Sequence, residues 1–420
     1  MTLNTLQDNN VGIYKMKVNK PYVSVVIPAY NQAQFLTDAL QSVLAQTYGN
    51  YEIIVVDDGS TDNTSTVAKQ FGDNIRYIYQ ENRGLAGARN TGIRHAKGQY
   101  IALLDSDDMW LPSFLERMMK LAQQNPDGAV FFCGARYMDA DGNNLPQSVH
   151  MKLNLAHSMY ETLAQANFLI PSTIVMQKSV VVEAGLFDQS LRSCEDWDLW
   201  LRLAPEHNFV GIADNLVRYR VHGSSLSTDP SGMQGAAKAV IEKHFGPDDG
   251  KWQHWSQEKR KAYGGLYSYH AWTSVLRQND WDKCAQYIRQ ALLADPTIAE
   301  NPDIFYELAL GTQPPGYRGI SSEHLALETN AKNLEKTLAN VFAKNTDLEL
   351  LSLRQRTYGT AYYAVGLLAY HNFLLRLARS YLWRALITWP QLGKQRQMWI
   401  TLTKSMLGSR LLARCQRIIA

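Results

Sequence analysis

Cysteine is scarce. Cys133, Cys194, Cys284 and Cys415 are the only four in 420 residues, and no two form a CxxC pair. That spacing argues against a zinc ribbon or a disulfide scaffold and fits a reducing cytoplasm. No stretch reaches the roughly 18 apolar residues that a membrane-spanning helix needs. The first twenty residues, MTLNTLQDNNVGIYKMKVNK, lack the continuous apolar run of a secretory leader. Low-complexity tracts are missing too, and 45% hydrophobic with 19% charged residues is the composition of a soluble globular protein. The chain is too long for one ordinary core, so two or three domains are expected. Acid is absent from one end: Leu350 to Ala420 holds eleven Lys/Arg and no Asp or Glu. The net charge of +3 therefore hides 31 bases against 39 acids, a balance of −8, in the preceding residues.

What is present begins as an alternation of strand and helix patterns. Val23–Ile27, Tyr51–Val56, Ile75–Tyr79 and Gly98–Leu104 are short apolar runs rich in β-branched residues. Phe35, Ala39, Leu40, Val43 and Leu44 between the first two recur at helical spacing. Such strands predict a mostly parallel sheet covered on both faces, with ligands at the strands' carboxyl ends. The polar clusters PAYN, DDGSTD and DSDD all follow strand ends. A mixed region follows, with strands expected at Ala129–Cys133 and Leu216–Val221, a turn at Asp141–Asn144 and a helix at Glu195–Leu203. Beyond about residue 235 helix patterns dominate. There Tyr269–Pro296 and Tyr363–Pro390 match without gaps, each reading as a helix–turn–helix unit, either tetratricopeptide-like or an unrelated hairpin.

The stretch LLDSDD, residues 103–108, crowds three carboxylates at the tip of a buried strand. Packing gives no reason for that repulsion, whereas a bound cation turns it into shared coordination. Together, VSVVIPAYNQAQFLTDALQSVLAQTYGNYEIIVVDDGSTDNT, NRGLAGARNTGIRHAKGQYIALLDSDD and CEDWDLWLRL resemble, over residues 21–225, an inverting family 2 glycosyltransferase with the GT-A fold. The resemblance implies a Rossmann-like GT-A domain over 21–235, after an N-terminal extension (1–20) and before an all-helical domain (236–420).

It also implies roles. Pro28 and Tyr30 wall the nucleotide pocket, and Asp58 accepts hydrogen bonds from the donor's base, where an ionised acceptor is strongest. Gly84 allows close backbone approach and Arg89 offers a cation to phosphate. Asp107 ligates Mn²⁺ or Mg²⁺, Asp105 lies near ribose and metal, and His222 after the strand LVRYRVH can reach the metal or diphosphate. Asp108 reads as a solvated helix cap. Asp196 is the general base for an acceptor hydroxyl, with Glu195 and Asp198 as lesser candidates. The partners implied are a nucleotide-diphosphate sugar and a glycan or lipid-linked acceptor, in surface polysaccharide or glycolipid assembly. A sugar nucleotidyltransferase is the first alternative, though PAYNQ stands where its Gly-rich basic loop would be. A catalytically inactive scaffold of helical repeats is the second.

From Thr401, TLTKSMLGSRLLARCQRIIA places Leu407, Leu411, Leu412, Cys415, Ile418 and Ile419 at helical spacing with Lys404, Arg410, Arg414 and Arg417 between them. The pattern suits a helix on an anionic membrane surface, hence a cytoplasmic protein peripheral to the membrane's inner face; a helix packed on its own domain has the same pattern. No recognition motif accompanies the charge, so no nucleic acid is expected.

Overall fold

The computed structural model describes residues 22–149, 158–223, 230–320, 322–343 and 347–406. The expected extension over 1–20 and the tail beyond Met406 lie outside them. The chain opens β1 (Val23–Ala29), α1 (Ala33–Leu44), β2 (Tyr51–Asp57), α2 (Thr64–Lys69), β3 (Arg76–Tyr79), α3 (Gly84–His95) and β4 (Tyr100–Leu103). These strands form the parallel run β3-β2-β1-β4. Every residue of β1 is buried, because helices cover both faces. Val23, Val25 and Ile27 join the core under α1, while Val26 joins the core on the opposite side. Gly92 lets α3 lie close on β1, since a Cβ there would stand 2.3 Å from Val26 Cγ1.

The second part of the sheet departs from the parallel expectation. It contains β5 (Met109–Trp110), α4 (Phe114–Gln124), β6 (Gly128–Met138), β7 (Asn144–Val149), α5 (Met159–Gln165), β8 (Ile174–Gln177), α6 (Lys178–Glu183), α7 (Glu195–Leu203) and β9 (Asn208–Arg220). β8 runs antiparallel to both β4 and β6, β5 antiparallel to β9, and β7 antiparallel to β6, whereas β6 and β9 are parallel. The result is one mixed nine-stranded sheet with order β3-β2-β1-β4-β8-β6-β9-β5 and β7 beside β6. The expected strand at Leu216 is only the end of β9, which starts eight residues earlier at Asn208. Its first part is half-buried and carries no clear alternation.

After β9 only helices follow among the described residues: α8 (Pro230–Phe245), α9 (Gln257–Gln278), α10 (Trp281–Ala294), α11 (Pro302–Leu310), α12 (Leu327–Ala343), α13 (Leu348–His371), α14 (Leu375–Thr388) and α15 (Arg396–Met406). Both matched segments are helical hairpins, α9–α10 and α13–α14. The correspondence runs further than the hairpins. At one offset of 94 residues, α14 follows α10 (281 to 375), a Pro-led 3₁₀ turn follows its counterpart (296 to 390), and α15 follows α11 (302 to 396). Asn279 and Phe373, at the same offset, both take left-handed backbone at the hairpin turns. The unit is therefore far longer than the about 34 residues of a tetratricopeptide repeat. The two copies stack, with α13 against α11 and against the 3₁₀ turn before it, while the intervening α12 packs on α10.

The helical part is fastened to the sheet. A Cβ at Gly265 would stand 2.0 Å from the Gln165 carbonyl oxygen, so α9 lies directly on the end of α5. One hydrophobic core runs from Val26, Ile54 and Leu103 through Trp197 and Tyr263 to Leu368 and Ala378.

Candidate active site

The parallel strands reverse order beside β1, where α1 leads to β2 on one side and α3 returns to β4 on the other. A crevice at the carboxyl ends is where open α/β sheets bind ligands, and polar residues gather there. Asn31 holds left-handed backbone and ties the loops together: its N–H donates to Ser60 Oγ (2.9 Å), and its Oδ1 accepts from the Thr61 N–H (2.8 Å). Asp57 is spent on structure, accepting from the Ser60 N–H and the Tyr77 hydroxyl (2.8 and 2.6 Å). Asp58 is buried. Its Oδ1 accepts from Gln80 Nε2 (2.6 Å) and the Arg83 N–H (2.9 Å), and no described residue donates to its Oδ2. Pro28 is buried within β1, and Tyr30 beyond it is half exposed, as a pocket wall would be. Gly84 takes positive φ at the start of α3, with open space where its Cβ would be.

Beyond β4, Arg89 joins two distant segments. Its guanidinium, only 1% exposed, donates to Asp105 (2.6 Å) and forms a short ion pair with Glu195. Arg89 is thus committed to two carboxylates and is not presented as the free phosphate-binding cation the sequence suggests. The Arg89 Nε has no described partner, and the guanidinium lies over the Phe187 ring. Burial pushes the Glu195 carboxyl up to about 7; Arg89 opposes that shift and Asp196 reinforces it. Asp196 is also raised, by burial first, although it accepts from the Trp197 N–H (2.7 Å) and Asn167 Nδ2 (3.0 Å). Asp198 points elsewhere, to Arg202, Lys243 and His244 at 2.8–2.9 Å. Burial would raise its pKa, but these partners hold it well below the usual carboxylate range. These three partners occupy its carboxylate, whereas Glu195 and Asp196 face the Arg89 side of the helix start.

Asp107 carries its Oδ2 2.9 Å from His222 Nε2, and that imidazole rests against the Phe35 ring. Asp108 overturns the reading of a solvated cap. It is 1% exposed, accepts from the Ser172 hydroxyl (2.5 Å) and the Arg220 N–H (2.9 Å), and lies before β5, well ahead of α4. Burial, then the Asp107 and Asp105 charges, push its carboxyl well up. Arg220 braces this loop: its Nε donates to the Asp107 carbonyl (2.7 Å) and its Nη2 to Asp38 (2.8 Å). Sequence reasoning missed Ser172, Arg220, Gln80 and Asn167. Only Arg220 left a trace, as a charged residue that the pattern of an apolar strand end would bury.

Among the described residues no three His, Cys, Asp or Glu side chains converge as a complete metal cage. Asp107 and His222 meet at 2.9 Å, while Asp105 Oδ1 is taken by Arg89. One carboxylate and one imidazole fit Mn²⁺ or Mg²⁺ where substrate phosphates supply the remaining ligands.

The model of the family named "Glycosyl transferase family 2" matches residues 24–184. An uncharacterized glycosyltransferase of Rickettsia prowazekii is 36% identical over 223 residues, 51% of this chain and 68% of its own. The chain is a member of glycosyl transferase family 2. It is therefore a transferase, and the mixed sheet is this family's GT-A arrangement; membership favours transfer of a sugar over the nucleotidyltransferase alternative. A second relative is the UDP-Glc:alpha-D-GlcNAc-diphosphoundecaprenol beta-1,3-glucosyltransferase WfgD of Escherichia coli, 30% identical over 49% of this chain and 80% of its own. Among solved structures, S. aureus TarS 1–349 in complex with UDP covers 83% of this chain and 90% of its own at 17% identity, with a TM-score of 0.45.

Proposed function

We propose that this glycosyltransferase moves a sugar, with inversion, from a nucleotide diphosphate to a hydroxyl of a glycan or lipid-linked acceptor. The observation that carries the reading is the Arg89 bridge, which brings Glu195–Asp196 at the start of α7 to Asp105 at the end of β4. Asp58 accepts from the base of the nucleotide, with Tyr30 and Pro28 walling that pocket and Gly84 giving the backbone room to approach. Asp107, with Asp105 and His222 beside it, would hold Mn²⁺ or Mg²⁺, which when bound neutralises charge on the departing diphosphate. Asp196 takes the proton of the acceptor hydroxyl as its oxygen attacks the anomeric carbon in line. Asn167 and the Trp197 N–H fix the two carboxylate oxygens for that transfer. Glu195, saturated by Arg89, positions the loop. Surface polysaccharide or glycolipid assembly suits the relative that acts on a diphosphoundecaprenol-linked sugar. Residues 21–235 form the catalytic unit, and 236–420 form a helical unit appended to it.

No helix among the described residues is long and apolar enough to cross a membrane. A cytoplasmic enzyme held on the inner membrane face by its basic tail accords with the charge pattern of the sequence.

Asp196→Asn tests the assignment. A positioned base contributes about 10²–10⁴ in rate, so transfer from the productive member of a nucleotide-sugar panel should fall by that factor. Donor affinity, read by calorimetry, should stay within about twofold. Retained turnover in Asp196→Asn removes the base, and absence of any donor binding in the parent protein removes the reaction.

A further inference from the structure

The repeated helical unit has an outer face that the two copies treat differently. In the first copy, Phe305 on α11 is 0% exposed with α13 packed on that helix, and Leu293 on α10 is 5% exposed with α12 packed on that one. The equivalent residues of the second copy, 94 positions on, are Trp399 at 46% and Ile387 at 77% exposed. Exposed residues on α14 form the stripe Arg376, Ser380, Trp383 and Ile387, and those on α15 include Arg396, Trp399, Thr403 and Met406, both at helical spacing. At the outer face of α10 the corresponding residues are Asp282, Gln286 and Arg289, all polar. Phe373 and Leu374, at the α13–α14 turn, are also about half exposed.

Charge selects what this face meets. From Leu350 to Met406 there are eight Lys/Arg and no acidic residue. Arg376, Lys394, Arg396 and Lys404 make no ion pair with any described residue. A second copy seated on the same face would set bases against bases. Tryptophan and isoleucine ringed by arginine and lysine match the headgroup zone of an anionic bilayer, where aromatic rings are half wet and cations meet lipid phosphate.

We propose that the outer face of α14 and α15 is a docking surface for an anionic lipid bilayer. Each base held at such a surface strengthens binding about fivefold, and the exposed rings and Ile387 add apolar insertion. The surface consists of described helices and does not depend on residues 407–420.

Flotation of the full chain with vesicles tests this, using phosphatidylcholine alone and phosphatidylcholine mixed with phosphatidylglycerol. Since no turnover is needed, the result is independent of the reaction proposed above. The parent protein should float with the phosphatidylglycerol vesicles only and be released by high salt. Trp383→Ser/Ile387→Ser and Arg376→Glu/Arg396→Glu should each weaken partitioning at least about tenfold, with unchanged far-UV circular dichroism and thermal midpoint. Flotation with neither vesicle overturns the proposal, as does flotation of both variants at the parent's level. A salt-resistant dimer that Ile387→Ser dissociates, without vesicle binding, assigns the face to a second copy and equally overturns it.

Discussion

Arg89 is one guanidinium among three carboxylates. It contacts Asp105 and Glu195 directly, and Asp196 stands next in the chain. A buried cation so placed holds the site together, but one positive charge does not offset three acids. The excess falls on Glu195, whose folded pKa is raised from 4.5 to about 7 by burial, with the Asp196 charge adding to it. The sign of the stability effect follows. An acid with a raised folded pKa binds more protons folded than unfolded within that window, so its contribution to stability falls from about pH 4.5 to about 7 and is level above. Glu195→Gln cannot titrate. Its stability relative to the parent should therefore rise between about pH 4.5 and about pH 7 and level off above in urea unfolding, whatever constant cost comes from losing the Arg89 ion pair. A relative stability that stays flat or declines over that span means Glu195 is ionised throughout. Gln at 195 also keeps Asp196 in place, so the measurement is separable from loss of the base.

At the scale of elements, α5 connects the helical unit to the site. Its end lies under Gly265 of α9, and two residues later Asn167 donates to Asp196. Gly265→Ala puts a methyl group where a backbone carbonyl stands, so α9 or α5 must move. Overpacking of this kind costs about 1–3 kcal/mol. The expected outcome is a lower thermal midpoint together with reduced turnover, since the carbonyl displaced lies next to the residue that orients the base. A variant with the lower midpoint but parental turnover would disconnect α9 from the site. How much of this was legible in sequence varies by element. The carboxyl ends of β1, β2 and β4 were, because each is a mostly apolar run stopped by a polar cluster. The α7 helix was legible to the residue, from acids in its first turn and Trp197, Trp200 and Leu201 on one face. β5 and β8, of two and four residues, were not: strands that short have no periodicity, and tertiary pairing alone defines them. Asp108 misled for a related reason. Its partners, Ser172 and Arg220, are 64 and 112 residues away, and a local pattern cannot show that a carboxylate will be buried by them. Asn167 leaves no local mark either, since its role is set by where α5 ends.

For the whole molecule, composition changes near residue 235 but packing does not. The core that contains Val26 and Trp197 continues through Tyr263, Leu292 and Phe305 to Ala364. Leu163 and Ala164 of α5 belong to that same core, with α9 packed on α5. A chain ending near 235 would uncover this surface on the catalytic side, and uncovering apolar area costs about 25 cal/mol per Å². The protein therefore unfolds as one cooperative body, with the sheet and the helices losing structure together. Calorimetry of the full chain should give a single transition, coincident in near- and far-UV circular dichroism. The fragment 22–235 should lack that transition and bind a hydrophobic dye in the cold. Two separated transitions in the full chain, or a fragment with native near-UV signal, would show instead that the helices merely sit on a self-sufficient transferase. The distinction bears on function, because in a single body a shift of α9 reaches, through Gly265, the end of α5 and with it Asn167, which holds the base.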